Sequence, residues 1–356
     1  MIDSIEIRNF RCFDKISLKQ LKRINIIVGK SASGKTAFLE SIFIAGGSSP
    51  ELPIRVRGWR GLPLTVISDQ RAVYEALWKD LFFSFDQEKE IGVVLKGSKL
   101  NTRSLVIGYG KQPELIPLDV KQDSRQSEAI TPITFSWTDG EGHPLIMSPE
   151  VKGGQLVARM LAQSTEVHTS MPTSFYSSSI LPSPDENAQY FSELSIKRAE
   201  TPIVKFIKKE FDFVEGLAVE AFARTPTIYA SIRGLPQKMP INFVSSGITK
   251  VLSLLLGMAN QRGGAILIDE MENGIYWDRL SSIWGALLEF SRLYDVQIFA
   301  TTHSMECLEA AAHAAAGKNE NDFCLLRTEK DNGKSTMRQF SGKAFSAAID
   351  QGGEIR

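Results

Sequence analysis

Long hydrophobic runs are missing from this 356-residue sequence, and cysteine is scarce. No apolar stretch approaches the roughly 20 residues that a membrane-spanning helix needs, and the first residues lack the basic start and apolar run of a secretory signal. The three cysteines are Cys12, Cys307 and Cys324. None belongs to a CxxC pair, which argues against a disulfide framework, a zinc ribbon or a zinc hook. These absences predict a protein of the reducing cytoplasm that does not enter a membrane.

Net charge is also absent, because 41 Lys and Arg residues balance 41 Asp and Glu residues. No overall field therefore draws the chain towards nucleic acid, and any such contact requires a local patch. Two small basic clusters are present, one of Arg55, Arg57 and Arg60 and one of Lys205, Lys208 and Lys209. Charge runs of this size are usually solvated faces. Nucleic-acid binding stays open as the lesser alternative.

A glycine-rich loop is the most specific motif in the chain. It consists of Gly29, Lys30, Ser31, Ala32, Ser33, Gly34, Lys35 and Thr36, and it matches the eight-position phosphate-loop pattern at every position. An apolar strand over 24–28 precedes it, and apolar residues at helical spacing follow until Gly46. The loop predicts backbone N–H groups around the phosphates of ATP, Lys35 at the β- and γ-phosphates, and the Thr36 hydroxyl on Mg²⁺.

A second apolar strand, over 265–268, ends in Asp269 and Glu270. Ligands of parallel α/β sheets bind at the carboxyl ends of strands, so this pair lies where a phosphate-loop enzyme needs carboxylates. We expect Asp269 to hold Mg²⁺, mostly through water, and Glu270 to polarise the water that attacks the γ-phosphate. Two acids at a strand exit are common by themselves, and only the accompanying loop makes this pair a candidate site.

Two further polar segments flank this strand. Ser246 and Gly247 open an apolar helix before it, and His303 follows the next strand, over 296–300. Taken alone, the first is a helix cap and the second is a loop residue. Together with the phosphate loop and the strand that ends in Asp269 and Glu270, these segments become candidate sites. We then expect Ser246 and Gly247 to bind phosphate and His303 to sense the γ-phosphate.

The order of these motifs resembles that of ABC-type ATPase heads of the SMC, RecF and OLD group, and most closely the AAA15 or AAA_21 ATPases of bacterial antiviral systems. The matching segments are 1–45 and 240–310, and the former includes the opening IEIRNFRCF. The resemblance implies an α/β fold, a P-loop NTPase of ABC-ATPase type with an inserted antiparallel β-meander and a helical subdomain.

The predicted organisation is a single ABC-type ATPase domain over 1–356. Its nucleotide-binding core comprises 1–48 and 240–310, and an inserted lobe rich in β-strands and helices spans 49–190. A basic helix over 192–211 and two strands occupy 191–239, and 311–356 completes the core. Ser, Thr and Pro dominate the segment 164–184, which predicts an exposed loop and a subdomain boundary.

The resemblance also implies a partner and a set of residue roles. ATP binds between two copies, as a homodimer or higher homo-oligomer, with Ser246 and Gly247 of one copy completing the other's site. Glu270 and His303 act in hydrolysis, which loosens the pair, and Asn273 with Gly274 bridges the two sites. Arg11 either touches the nucleotide or is a surface arginine at the end of a strand. Gln70 and Gln87 are the candidates for the glutamine that couples the metal to the inserted lobe in this family.

Three functions are compatible with these residues. The first is a switch that controls a separately encoded effector, such as a nuclease, in bacterial antiphage defence; about fifty residues follow His303, so we expect the toxic activity to reside in another protein. The second is a DNA-repair or DNA-architecture ATPase that clamps duplex DNA, although the long coiled coil of SMC proteins is absent. The third, a non-hydrolysing scaffold, is disfavoured by the intact Lys35, Asp269 and Glu270.

Overall fold

The computed structural model describes residues 1–62, 71–98, 100–110, 114–115, 129–152, 155–178, 182–222 and 225–350. These residues form two compact units, each assembled from separate parts of the chain. The first comprises 1–21, 29–171 and 327–339, and the second comprises 22–28, 172–326 and 340–356. One change of unit falls between Met171 and Pro172, inside the segment that is rich in Ser, Thr and Pro. The prediction of a single domain over 1–356 stays a prediction.

The first unit contains a seven-stranded sheet in which every neighbouring pair of strands is antiparallel. In sheet order, its strands are β10 (Gln155–Gln163), β9 (Pro144–Lys152), β8 (Ile133–Thr138), β5 (Asn101–Tyr109), β4 (Ile91–Gly97), β1 (Ser4–Phe10) and β2 (Phe13–Lys19). The short pair β6 (Glu114–Leu115) and β7 (Ala129–Ile130) is also antiparallel. The predicted meander is thus confirmed, and it continues from the N-terminal hairpin.

Three helices accompany this sheet: α1 (Lys35–Gly46), α2 (Leu52–Trp59) and α3 (Arg71–Lys79). Helix α1 is buried on nearly every side, as its apolar sequence predicts. Its C-terminus is held by Arg103, whose guanidinium donates to Ala45 O at 2.8 Å and to Gly47 O at 2.7 Å. The C-terminus of a helix carries partial negative charge, so a cation there is stabilising. The contact with Arg103 therefore stabilises the position of the helix that carries Lys35.

The second unit is built around a largely parallel sheet. The strands of this sheet are β11 (Thr173–Tyr176), β15 (Ala265–Ile268), β16 (Gln297–Thr301), β3 (Ile24–Gly29), β17 (Phe323–Asp331) and β18 (Lys334–Ser341), in that order. Residues 327–331 of β17 and 334–339 of β18 are counted with the first unit. The pairs β11–β15, β15–β16 and β16–β3 are parallel. Strands β15 and β16 are buried at every residue, which explains their uninterrupted apolar sequences. Parallel register brings the carboxyl ends of β3, β16 and β15 to one edge of the sheet.

Helices and a second, smaller sheet complete this unit. The helices are α4 (Pro184–Ile196), α5 (Thr201–Glu210), α6 (Ile241–Val244), α7 (Ser246–Asn260), α8 (Leu280–Tyr294), α9 (Met305–Ala315) and α10 (Lys343–Asp350). The small antiparallel sheet contains β12 (Val214–Phe222), β13 (Thr225–Ile232) and β14 (Met239–Pro240). The single helix expected over 192–211 is wrong. Arg198 adopts a left-handed φ of 55° after α4, and the new helix α5 begins at Thr201, with Pro202 in its first turn.

Candidate nucleotide site

The phosphate loop is shaped by residues with positive φ. Gly29 and Gly34 have φ values of 140° and 107°, and Ala32 has a φ of 59°. A Cβ at Gly29 would lie 2.3 Å from Thr328 O, so only glycine fits this close approach. Gly34 is the N-cap of α1, and no side chain caps that helix. A helix N-terminus of this kind carries partial positive charge and favours an anion.

Lys35 is buried, with only 5% of its surface exposed. Its Nζ donates to Gly29 O at 2.7 Å and to Lys30 O at 3.0 Å. These carbonyls compensate part of the cost of burying an ammonium group. The ammonium group of Lys35 is thus held by the carbonyls of the first two residues of the loop, next to the N-terminus of α1, which no side chain caps.

Sequence reasoning missed Thr328, which supports the loop from β17. The hydroxyl groups of Ser33 and Thr328 are 2.5 Å apart, and Ser33 is 2% exposed. Because 295 positions separate these residues, no local pattern could have paired them. Thr328 is therefore a structural support of the loop that only the folded chain reveals.

Arg11 lies in the turn between β1 and β2, in a left-handed conformation with φ of 50°. Its Nε is 2.6 Å from Glu40 Oε2, and its Nη1 is 3.4 Å from Asp80 Oδ2. Glu40, on α1, is 1% exposed and also pairs with Arg60 at 2.6 Å. Arg11 is thus engaged in a partly buried ion network on the helix that follows the phosphate loop, and its contact with nucleotide stays a prediction.

The first basic cluster is largely neutralised by carboxylates. Arg57 pairs with Asp80 at 2.8 Å, Arg60 pairs with Glu40, and Arg55 lies 3.9 Å from Glu51. These contacts leave little unbalanced positive charge for a phosphate backbone. Of the two glutamines, Gln87 donates to Tyr109 Oη at 3.3 Å, and Gln70 lies outside the described residues.

In the second unit, Asp269 and Glu270 follow β15 and share one threonine. Thr301 Oγ1 donates to Asp269 Oδ1 at 2.7 Å and accepts from the Glu270 N–H at 2.8 Å. Glu270 has a left-handed φ of 54°, which is uncommon for a residue with a side chain. Such a conformation persists only where neighbouring contacts hold it, and residues in such conformations occur frequently at functional sites.

Lys250 supplies the other contacts, and sequence reasoning missed it too. Its Nζ donates to Glu270 O at 2.7 Å, to Asn273 O at 3.0 Å and to Met271 O at 3.2 Å. Burial lowers the pKa of Lys250 to about 8, against the opposing effect of nearby Glu272. A lone lysine four residues after Ser246, within the apolar helix α7, was the signal that could have identified it.

Ser246 and Gly247 form the first turn of α7, and the side chain of the N-cap residue Ser245 makes no capping bond. A Cβ at Gly247 would lie 2.5 Å from Gly274 O, so the start of this helix packs directly against the Asn273–Gly274 loop. Ser246 itself is exposed. The N-terminus of α7 therefore lacks a side-chain cap, as that of α1 does, and it lies next to a residue that solvent can reach.

His303 follows β16 and is exposed. Its backbone N–H donates to Glu272 Oε1 at 2.8 Å, which ties this segment to the loop after β15. Within the second unit, the structure thus brings Asp269, Glu270 and the His303 segment together through Thr301 and Glu272. In the described residues, no group of three or more His, Cys, Asp or Glu side chains could hold a metal ion by itself.

Two family models match the chain. The model described as AAA ATPase domain, AAA_15, matches residues 1–213. The chain belongs to this AAA_15 family. A second model, AAA_21, described as AAA domain, putative AbiEii toxin, Type IV TA system, matches residues 164–309. The resemblance to ABC-type ATPases of the SMC and RecF group, nearest to AAA15 and AAA_21, is confirmed, as are the α/β P-loop fold and ATPase activity.

Relatives among known proteins agree with this membership. An ATP/GTP phosphatase of Helicobacter pylori is 22% identical over 357 residues, covering 93% of this chain and 94% of the relative. An uncharacterized protein, MJECL10, of Methanocaldococcus jannaschii is 31% identical over 102 residues, covering 26% of this chain and 41% of the relative. The DNA replication and repair protein RecF of Nitrosococcus oceani is 47% identical over 45 residues, covering 13% of this AAA_15 chain and 12% of RecF.

Solved structures similar to this AAA_15 chain include SMC heads. The SMC head domain from Thermotoga maritima has a TM-score of 0.42 and 14% identity, covering 95% of this chain and 98% of its own. The Smc head domain of Pyrococcus furiosus, bound to the C-terminal domain of ScpA, has a TM-score of 0.47 and 11% identity, with 98% of each chain covered. Among the described residues, no helix is long and apolar enough to cross a membrane.

Proposed function

We propose that this AAA_15 ATPase is a switch that closes around ATP as a homodimer, opens on hydrolysis, and controls a separately encoded effector in bacterial antiphage defence. The observation that carries this proposal is that no side chain caps the N-terminus of α1, which follows the phosphate loop, or that of α7, which begins with Ser246 and Gly247. Because a helix N-terminus favours an anion, we assign the end of α1 to the chain's own nucleotide and the end of α7 to the nucleotide of a second copy.

In this proposal, backbone N–H groups of the phosphate loop, residues 29–36, surround the phosphates of ATP, and Lys35 leaves the carbonyls of Gly29 and Lys30 to bind them. Thr36 and Asp269 provide the hydroxyl and carboxylate oxygens for Mg²⁺. Such donors suit this ion, which usually takes one or two protein ligands beside phosphates and water. Bound Mg²⁺ neutralises the charge that develops on the phosphates. Within the second unit, only β16 separates β3 from β15, the strand that ends at Asp269.

Glu270 is the proposed general base and His303 the proposed γ-phosphate sensor. Support comes from the backbone of Glu270, which Lys250 and Thr301 hold in a left-handed turn at the end of β15. A fixed backbone limits the positions that the carboxylate can occupy, and general bases must lie within hydrogen-bonding reach of the attacking water. The exposure of His303 leaves its ring accessible to nucleotide.

The role in defence rests on the description of the second family model, which names a putative AbiEii toxin of a type IV toxin–antitoxin system. Such a system pairs two proteins, and an ATP-driven switch accounts for how one controls the other. The effector, such as a nuclease, is the partner that this proposal requires.

Size-exclusion chromatography of the Glu270→Gln variant tests the switch. With ATP and Mg²⁺ this variant should elute as a dimer and without nucleotide as a monomer, because the amide cannot accept the proton of the attacking water. Glu289→Gln, on the exposed face of α8, is the matched control and should hydrolyse ATP as the wild type does. A Glu270→Gln variant that hydrolyses normally, or that stays monomeric with bound ATP, contradicts the proposal.

A DNA-repair or DNA-architecture ATPase is the second candidate, favoured by the short match to RecF. The pairing of Arg55, Arg57 and Arg60 with carboxylates weighs against it. Duplex binding that falls steeply as salt is added would support this candidate, because phosphate contacts release counterions. Weak binding that does not depend on salt supports the switch.

A further inference from the structure

A groove of about 590 Å³ lies on the second unit between α4, α5 and β12. Its apolar lining includes Ile196, Val204, Leu217 and Val219, and its cationic lining comprises Lys205 and Lys208. The volume falls in the range of protein sites that take several side chains or a ligand. None of these lining residues belongs to the proposed ATP site.

The rim of the groove carries unbalanced positive charge. Lys205 and Lys208 of the lining are exposed, as are Lys197 and Arg198 directly after α4, and within the described part of the chain none of these four forms an ion pair. This separates them from Arg57 and Arg60, each of which has a carboxylate partner. Glu200 is the one carboxylate in the lining. An occupant with several carboxylates would therefore complement this rim.

The floor of the groove favours an apolar stripe in the occupant. Thr201, Val204, Lys205 and Lys208 follow helical spacing, so one face of α5 borders the groove over about two turns. Ile196 is 83% exposed at its edge, where water contact with a large aliphatic side chain is unfavourable. A helix that lays apolar side chains along such a groove buries this surface.

Nucleic acid fits the groove less well than a protein. Single-stranded nucleic acids bind by stacking their bases on exposed aromatic side chains. Phe191, the aromatic residue of the lining, is only 4% exposed and is not available for stacking. Aliphatic side chains on the floor offer a phosphate backbone no partner. The combination of cationic rim and aliphatic floor matches an amphipathic helix with acidic flanks.

We propose that the α4–α5 groove binds an acidic amphipathic helix of a protein partner. The identification of that partner as the effector rests on the proposed function, whereas the binding itself does not. ATP turnover and ATP-dependent dimerisation test the proposed switch, whereas peptide binding tests the groove. Failure of one proposal is therefore distinguishable from failure of the other.

Fluorescence anisotropy with labelled synthetic peptides tests the groove on the full chain. The probe is a peptide of about 18 residues, about 27 Å long as a helix, with leucines on one face and glutamates on the other. A peptide of the same composition without the apolar stripe is its control. We expect the amphipathic peptide to bind at least about tenfold more tightly, a difference of about 1.4 kcal/mol.

Charge and apolar variants locate the binding. Lys205→Glu with Lys208→Glu, and separately Ile196→Asp, should each weaken peptide binding at least about tenfold while ATP turnover stays unchanged. Lys209→Glu, on the same helix but outside the lining, is the matched control and should change affinity by less than about threefold. Equal affinity for both peptides, absence of binding, or duplex DNA binding that the double variant abolishes would overturn the inference.

Discussion

At the residue scale, Lys35 and Lys250 are two buried ammonium groups that donate to backbone carbonyls. Lys35 contacts Gly29 O and Lys30 O, and Lys250 contacts three carbonyls of the loop after β15. The two lysines nevertheless have different roles. In the proposed function, phosphates replace the carbonyl partners of Lys35, whereas Lys250 keeps its partners and holds the backbone of Glu270.

Replacing Lys35 by alanine should weaken ATP binding by about 100-fold or more. A methyl group cannot replace a charge-assisted bond to phosphate, and such a loss corresponds to about 3 kcal/mol. Isothermal titration with ATP and Mg²⁺ measures it. Lys15→Ala, an exposed position on β2, serves as control and should leave affinity unchanged. Wild-type affinity in Lys35→Ala would remove the assignment of the loop.

Lys250 predicts a pH dependence of stability. Its folded pKa of about 8 lies below the value of 10.5 expected in an unfolded chain, so between these pH values the unfolded chain binds more protons. The free energy of unfolding should therefore gain a rising contribution from about pH 8 to 10.5, on the order of 3 kcal/mol at most.

Chemical denaturation of the wild type and of Lys250→Met across this pH range measures the contribution as the difference between the two curves. The exposed Lys197→Met variant should follow the wild type. If Lys250→Met and the wild type change in parallel, the lysine does not titrate as its burial implies.

At the element scale, α7 is held between the sheet and the loop after β15, and its glycines have separate tasks. Gly247 allows the approach of the Gly274 carbonyl, and Gly257 allows the approach of Tyr176. Tyr176 Oη donates to Ser253 O at 2.9 Å, and this ring is 2% exposed. The helix that presents Ser246 is thus fixed at both ends by contacts that a Cβ would break.

Two helical glycines should respond oppositely to alanine. A Cβ at Gly257 would lie 1.8 Å from Tyr176 Oη, so Gly257→Ala should destabilise the protein by about 1–3 kcal/mol. Gly285, on α8, has open space around its Cβ position, so Gly285→Ala should stabilise by about 0.5–1 kcal/mol. Denaturant midpoints compare them, and equal shifts of the same sign would refute the packing argument.

At the scale of the whole molecule, the proposed switch depends on a second copy reaching Ser246. This residue is exposed, so Ser246→Arg is accommodated in the monomer while its bulk obstructs a facing nucleotide. We expect loss of ATP-dependent dimers with monomer ATP affinity within about threefold of the wild type. Analytical ultracentrifugation and nucleotide titration measure both quantities, with the exposed Gln189→Arg on α4 as control. Equal loss of dimerisation and affinity contradicts a contribution across subunits.

The amino-acid sequence by itself determined the contiguous features. Residues 29–36 predict a phosphate loop, and the apolar run before Asp269 and Glu270 predicts a buried parallel strand. Each of these patterns lies within a few neighbouring positions and can therefore be read from the sequence. Tertiary structure alone decided which distant groups support them: Thr328 beside Ser33, Lys250 beneath Glu270, and Glu40 between Arg11 and Arg60. It also divided the helix expected over 192–211. Burial, and the need to satisfy buried charge, select such partners only when the chain has folded.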